Sequence, residues 1–175
     1  MAMPVGVRLG YAPGWEGAST DAERAEAIRH VSPRWTLQWW TLLRALRAVE
    51  ECYAGYGGGN VLAVHSVELG CLASQWLEEH LEADGVPASA WRTKRDLQDA
   101  HDLANTHKHT GRKPERIGRV LSYEAAPGGH PTITLAFAEQ GSDVVHLRDA
   151  LELLRSCERT WQDLITKHVG PSPLP

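Results

Sequence analysis

At 175 residues, with 42% hydrophobic and 23% charged residues, the chain has the size and composition of one globular domain with a real core. Its formal net charge of −4 gives the whole molecule no general attraction for nucleic acid or anionic lipid, although a local basic patch stays compatible with it. No apolar run is long enough to span a bilayer, and "MAMPVGVRLG" lacks the apolar segment of a signal peptide. Three widely separated cysteines (Cys52, Cys71 and Cys157) form no CxxC pair, so they read as small core residues in a reducing cytoplasm.

Residues 1–18 hold two Pro and four Gly without periodicity and read as an irregular arm laid down through Tyr11 and Trp15. Thr20 with Glu23 makes a capping box for a short helix that Pro33 ends. From Arg34 to about Ala54, Trp35, Trp39, Leu42, Leu43, Leu46, Val49 and Tyr53 recur at three- and four-residue steps, the stripe of a five-turn helix. In its "WTLQWW" stretch, Trp39 and Trp40 point in different directions, so one of them suits a dimer surface. "GYGGGN" (55–60) breaks the helix. No Gly-Lys-Ser/Thr follows, so a flexible connection is preferred over a phosphate loop.

A third helix is expected over about Val61–Ala83, with Leu62, Leu69, Leu72, Ala73, Trp76 and Leu77 inward and Gly85 as its C-terminal cap. Ser89 is expected to cap a fourth helix running to about Thr110, where Gly111 stops it. "RVLSYEA" (119–125) and "TITLAFA" (132–138), separated by "PGGHP", alternate as a β-hairpin, with "DVVHL" (143–147) as a third strand. A last helix over about 147–168 would bury Leu147, Leu151, Leu154, Trp161 and Ile165, and "GPSPLP" (170–175) is too proline-rich to fold. The expected fold is therefore mainly α: an antiparallel helical bundle over 19–169 with a small β-hairpin or meander inserted before the C-terminal helix.

The fourth helix carries the chemistry. Within "DLQDAHDLANTHKHTGRK" (96–113), Leu97, Ala100, Leu103 and Ala104 fall on one side at about 100° per residue. Arg95, Gln98, Asp102, Asn105 and His109 cluster opposite them, flanked by His101 and Lys108. Asp, Asn, Thr and His are poor helix formers, so building a helix from them costs several tenths of a kcal/mol per position and calls for a compensating interaction. That interaction is either a site or a polar network between helices.

The motif Asp102-x-x-Asn105-x-x-Lys108-His109, followed by a hairpin and a terminal amphipathic helix with Trp161, resembles a group of uncharacterised bacterial helical-bundle proteins. More loosely it resembles the HEPN superfamily, whose members are often ribonucleases of toxin and antiphage systems and commonly dimerise. In catalytic members an Arg and a His four to six residues apart serve RNA cleavage, and Arg95-Asp96-x4-His101 has that spacing, whereas the framing Asn105-x-x-x-His109 lacks the Arg.

What the resemblance implies is metal-independent cleavage needing no cofactor. His101 or His109 would take the ribose 2′-hydroxyl proton, and Arg95 or Lys108 would stabilise charge on the phosphate. Asp102 or Asn105 would orient the histidine, while Arg112, Lys113 and Arg116 would track an RNA or nucleotide backbone. The rival reading is a non-catalytic module, homodimeric or bound to a partner protein, in which Asp102, Asn105 and His109 knit helices together. A third is a metal-dependent small-molecule enzyme using His65, Glu68, Asp102 and His109. For His65 and Glu68 a hydrogen-bonded pair crossing to the fourth helix is preferred over a metal site.

Overall fold

The structure, a computed structural model, describes residues 20, 34–56, 60–108, 115–125 and 130–169, apart from the side chains of Asn60, His107 and Lys108. The short helix expected after Thr20, the glycine run 57–59 and the proline-rich tail lie outside these residues. The chain divides into two compact units, Met1–Leu37 and Gln38–Pro175, and all that follows concerns the second.

Its described elements are helices α1 (Arg34–Tyr53), α2 (Asn60–Ala83) and α3 (Arg95–Lys108), strands β1 (Arg116–Glu124), β2 (Thr132–Glu139) and β3 (Val145–Asp149), and helix α4 (Ala150–His168). This is a mainly helical fold with a three-stranded antiparallel sheet, order β1-β2-β3, placed before the last helix. None of the described helices is long and apolar enough to cross a membrane.

In α1 the expected stripe is buried at Trp39, Leu42, Leu46 and Val49, joined by Ala45 and Cys52, while Trp40 and Leu43 are only half-buried. Tyr53 ends the helix and ties it to the sheet. Its hydroxyl donates to Asp149 Oδ2 at 2.8 Å and accepts from the Ile133 amide at 2.7 Å. Burial together with the neighbouring Asp149 carboxylate holds this phenol protonated far above its ordinary range.

Helix α2 departs from expectation in its rotation. Leu62 and Leu69 are exposed, and the buried face is Ala63, Val67, Cys71, Ala73, Ser74, Leu77 and Leu81. Small residues win this face because α4 and α1 come very close to it. A Cβ at Gly70 would stand 2.8 Å from Leu154 and 3.2 Å from Ala45. Matching by size alone would favour the leucines, but backbone proximity selects Gly, Ala, Ser and Cys. Trp161 of α4 fills the space beyond, fully buried, and its indole N–H donates to Ser74 at 2.8 Å.

Helix α3 starts six residues later than Ser89. The segment before it makes a 3-10 turn (Ala88–Ala90) that turns Trp91 inward, where it is buried with its ring 5.8 Å from that of Trp161. Burying an indole outweighs the capping available from one serine. The predicted inner face of α3 holds: Leu97, Ala100, Leu103 and Ala104 are all buried.

Along the sheet, Ile133, Leu135 and Phe137 of β2 point inward to the helices. A Cβ on Gly118, opposite Phe137, would lie 2.7 Å from that ring and 2.8 Å from the Leu103 backbone nitrogen, so β1 and α3 touch backbone to backbone. The last helix begins at Ala150. Asp149 caps it, accepting from the Glu152 amide at 2.9 Å. Leu147 accordingly belongs to β3 rather than to the helix and is 60% exposed on the outer face.

Candidate functional site

The polar face of α3 is organised around a carboxylate that the sequence hardly advertised. Asp96, Asp99 and Asp102 recur at three-residue steps, and Asp99, in the middle, is 2% exposed. The sheet supplies its counter-charges. Arg116 on β1 and Arg148 on β3 sit on the inner face, one on each side of β2, and both reach α3.

Arg148 Nη1 lies 2.8 Å from Asp99 Oδ2 and 2.7 Å from Asp96 Oδ1. Arg116 Nη1 lies 2.6 Å from Asp99 Oδ1 and donates to Asp102 Oδ2 at 2.5 Å, with its guanidinium 4.9 Å from the centre of the Phe137 ring. Arg95 reaches Asp99 Oδ1 from the solvent side at 3.2 Å. Ser156 of α4 donates to Asp96 Oδ2 at 2.5 Å. Three carboxylates therefore face three guanidiniums. The contact of Arg116 with Asp99 Oδ1 is an ion pair without hydrogen-bond alignment, and the buried Arg116 Nε and Nη2 meet no hydrogen-bond partner among the described residues.

Titration follows from these positions. Burial pushes the Asp96 carboxyl upward, but hydrogen bonds from Ser156 and Arg148 outweigh it and hold the group below its ordinary value. For Asp102 burial prevails over the Arg116 charge, and its carboxyl is raised. Burial lowers the basicity of Arg148, yet its bonds to Asp99 and Asp96 more than offset this, so the guanidinium is held charged even more firmly than usual.

Two further contacts fasten α3 to α2. Gln75 Nε2 donates to Asn105 Oδ1 at 2.8 Å, and His101 Nδ1 lies 3.1 Å from Glu78 Oε2. Thr106 Oγ1 donates to the Asp102 carbonyl at 2.9 Å and accepts from the Gly118 amide at 3.2 Å, binding the helix to β1 as well.

Of the residues singled out from sequence, the structure thus gathers Arg95, His101, Asp102, Asn105 and Arg116 around α3. In each case the groups engage protein partners. Arg116 is only 11% exposed and turned inward, which takes its guanidinium away from a phosphate backbone. Lys108 ends α3 with its side chain outside the description, and His109, Arg112 and Lys113 lie outside the described residues. His65 and Glu68 pair at 3.1 Å within α2, with the imidazole largely in solvent. Among the described residues no three His, Cys, Asp or Glu side chains are placed to hold a metal ion.

Sequence reasoning missed Arg148, Gln75, Glu78 and Ser156 as partners. Only the Asp96-Asp99-Asp102 spacing hinted at a second counter-charge on the inner side of the helix.

One pocket opens beside this network. It has a volume of about 390 Å³ and lies between the C-terminal half of α2, the turn at 88–92 and α3. Trp91, Leu97 and Ala88 supply apolar wall, while Glu78, Glu79, Glu82, Asp102, Arg92, Gln98 and His101 supply the polar lining. A histidine paired to a glutamate at a cleft can exchange a proton with a bound molecule. Four carboxylates against one guanidinium make the same cleft hostile to phosphate. Compared with protein families, curated proteins and solved structures, the chain has no match.

Proposed function

We propose that this chain is a non-catalytic protein-interaction module, an antiparallel bundle in which the polar face of α3 is an internal brace and the outer face of the sheet meets a partner. The observation that carries this reading is the pairing of the groups that catalysis would require. A cation that stabilises a phosphate transition state must be free to meet it, whereas Arg95 and Arg116 are spent on Asp99 and Asp102. A residue that orients a histidine must contact it, whereas Asp102 holds Arg116 and Asn105 holds Gln75.

The outer sheet face supports the second half. Leu121, Val145 and Leu147 are 60%, 55% and 60% exposed, and Val145 and Leu147 sit opposite Ala138 and Ala136 in register. A contiguous exposed apolar patch of this kind suits a contact surface.

Metal-independent RNA cleavage is the second reading, favoured by one observation: His101, held by Glu78, stands at the pocket. The test is incubation of purified protein with labelled total RNA in EDTA, beside His101→Ala. The module reading expects intact RNA from both. Cleavage to cyclic-phosphate ends by the wild type, lost in His101→Ala, would overturn it. For the contact surface, Val145→Asp with Leu147→Asp is expected to leave the melting temperature unchanged and to abolish binding of a co-purifying partner. An early-melting double variant would instead make this face part of the fold.

A further inference from the structure

We propose that the pocket between α2 and α3 is a recognition site for a short organic cation, an alkylammonium or guanidinium group on an aliphatic stem. The inference does not depend on the interaction-module reading. It starts from the cavity itself, whose volume of about 390 Å³ lies in the range that holds small ligands or a long side chain.

The walls then select the chemistry. The apolar side, Trp91 with Leu97 and Ala88, accepts methylene groups, and an indole face or edge beside a cation adds attraction that a neutral group lacks. The polar side carries four carboxylates against Arg92 and His101. Two of the four are already engaged, Glu78 with His101 and Asp102 with Arg116. Glu79 and Glu82 take part in no ion pair among the described residues and stand together on the exposed flank of α2.

An empty pocket so lined concentrates negative potential over a low-dielectric wall, and a mobile cation relieves it. Phosphate and carboxylate ligands are repelled by the same arrangement. A bare divalent ion gains little, because no three ligands converge. The occupant therefore carries positive charge and apolar length together. Free amines and the Arg or Lys side chain of a protein both have that chemistry.

The experiment is titration calorimetry at 0.15 M salt with agmatine, with its uncharged analogue 4-aminobutyl-free butylurea, and with the capped tripeptide acetyl-Ala-Arg-Ala-amide. Each is run on the full chain and on Glu79→Gln/Glu82→Gln, whose exposed positions leave the fold intact. Saturable binding of agmatine, no binding of the urea and at least tenfold weaker binding by the double variant are expected. If the tripeptide competes with agmatine the source is a partner's side chain. If agmatine alone binds, the source is a free amine. Absence of saturable binding by both cations, equal binding of the urea, or undiminished affinity in the double variant overturns the proposal.

Discussion

Two joints of the same unit are made of opposite materials. Where α2 meets α4, Gly70 lies against Leu154, Trp161 fills the gap, and Cys71 and Cys157 are fully buried, so contact is backbone-close and nearly all apolar. Where α3 meets the sheet, the contact is just as close at Gly118, but Asp96, Asp99 and Asp102 interlock with Arg116 and Arg148. An apolar joint tolerates a range of rotations of similar volume, whereas an ionic one is satisfied in one register only. The Asp–Arg lattice thus fixes which face of α3 lies on the sheet, and it compensates for building that helix from weak helix formers.

The sharpest way to break the comparison is to strike each joint at its centre. Asp99→Asn leaves Arg116 and Arg148 buried with half their counter-charge, and the expected loss is about 3–5 kcal/mol. Trp161→Ala at the other joint removes a fully buried indole, a loss of about 3–5 kcal/mol by cavity formation alone. Denaturant titrations separate them by repair. A second substitution, Arg148→Met, recovers much of the Asp99→Asn loss but none of the Trp161→Ala loss. If Asp99→Asn costs under about 1 kcal/mol, the lattice is not what holds α3 to the sheet.

Next in size is Gly118→Ala. Its new methyl would meet Phe137 and the Leu103 backbone below 3 Å, and backbone cannot yield as a side-chain tip can. A destabilisation of about 1–3 kcal/mol is expected. Gly70→Ala meets the movable Leu154 tip instead and should cost less, so the order of the two melting temperatures checks which joint is the stiffer.

Acid sharpens the contrast further. The Asp96 carboxyl is held below its ordinary value, so its folded state binds fewer protons than the unfolded chain. Its contribution is complete above about pH 4 and is lost as pH falls through its depressed value. Asp102, raised by burial, has the opposite sign and opposes part of that loss. Asp96→Asn should therefore flatten the fall of stability below pH 4, and Trp161→Phe should leave its slope unchanged.

Much of this was legible beforehand, and the reasons are specific. The inner stripe of α3, the three strands and the Leu-rich face of α4 follow from periodicity, which survives whatever packs against it. The rotation of α2 was not legible, because Leu62 and Leu69 outweigh Ala63 and Gly70 in any hydrophobic pattern until the proximity of α4 is known. Leu147 was placed in a helix because its apolar character suits either period, and the capping role of Asp149 emerges only beside Glu152 and Tyr53. The polar helix announced a need for partners, yet Arg148, 49 positions from Asp99 in sequence, could not be matched to it without the register of β2 and β3.

The smallest effect is the most discriminating. His101 is the sequence-selected group that is at once on α3, beside the pocket and outside the Asp–Arg lattice. Its pairing with Glu78 is partly exposed, so His101→Ala should cost no more than about 1 kcal/mol. A small stability change is therefore expected on every reading, and what separates them is the accompanying change in ligand response. If His101 were a general base, its removal would abolish RNA turnover with the fold intact. If it only shields Glu78, its removal frees a fourth carboxylate at the pocket, and agmatine should bind more tightly to His101→Ala than to the wild type. Weaker binding in that variant would make the imidazole part of the cation's wall rather than its competitor.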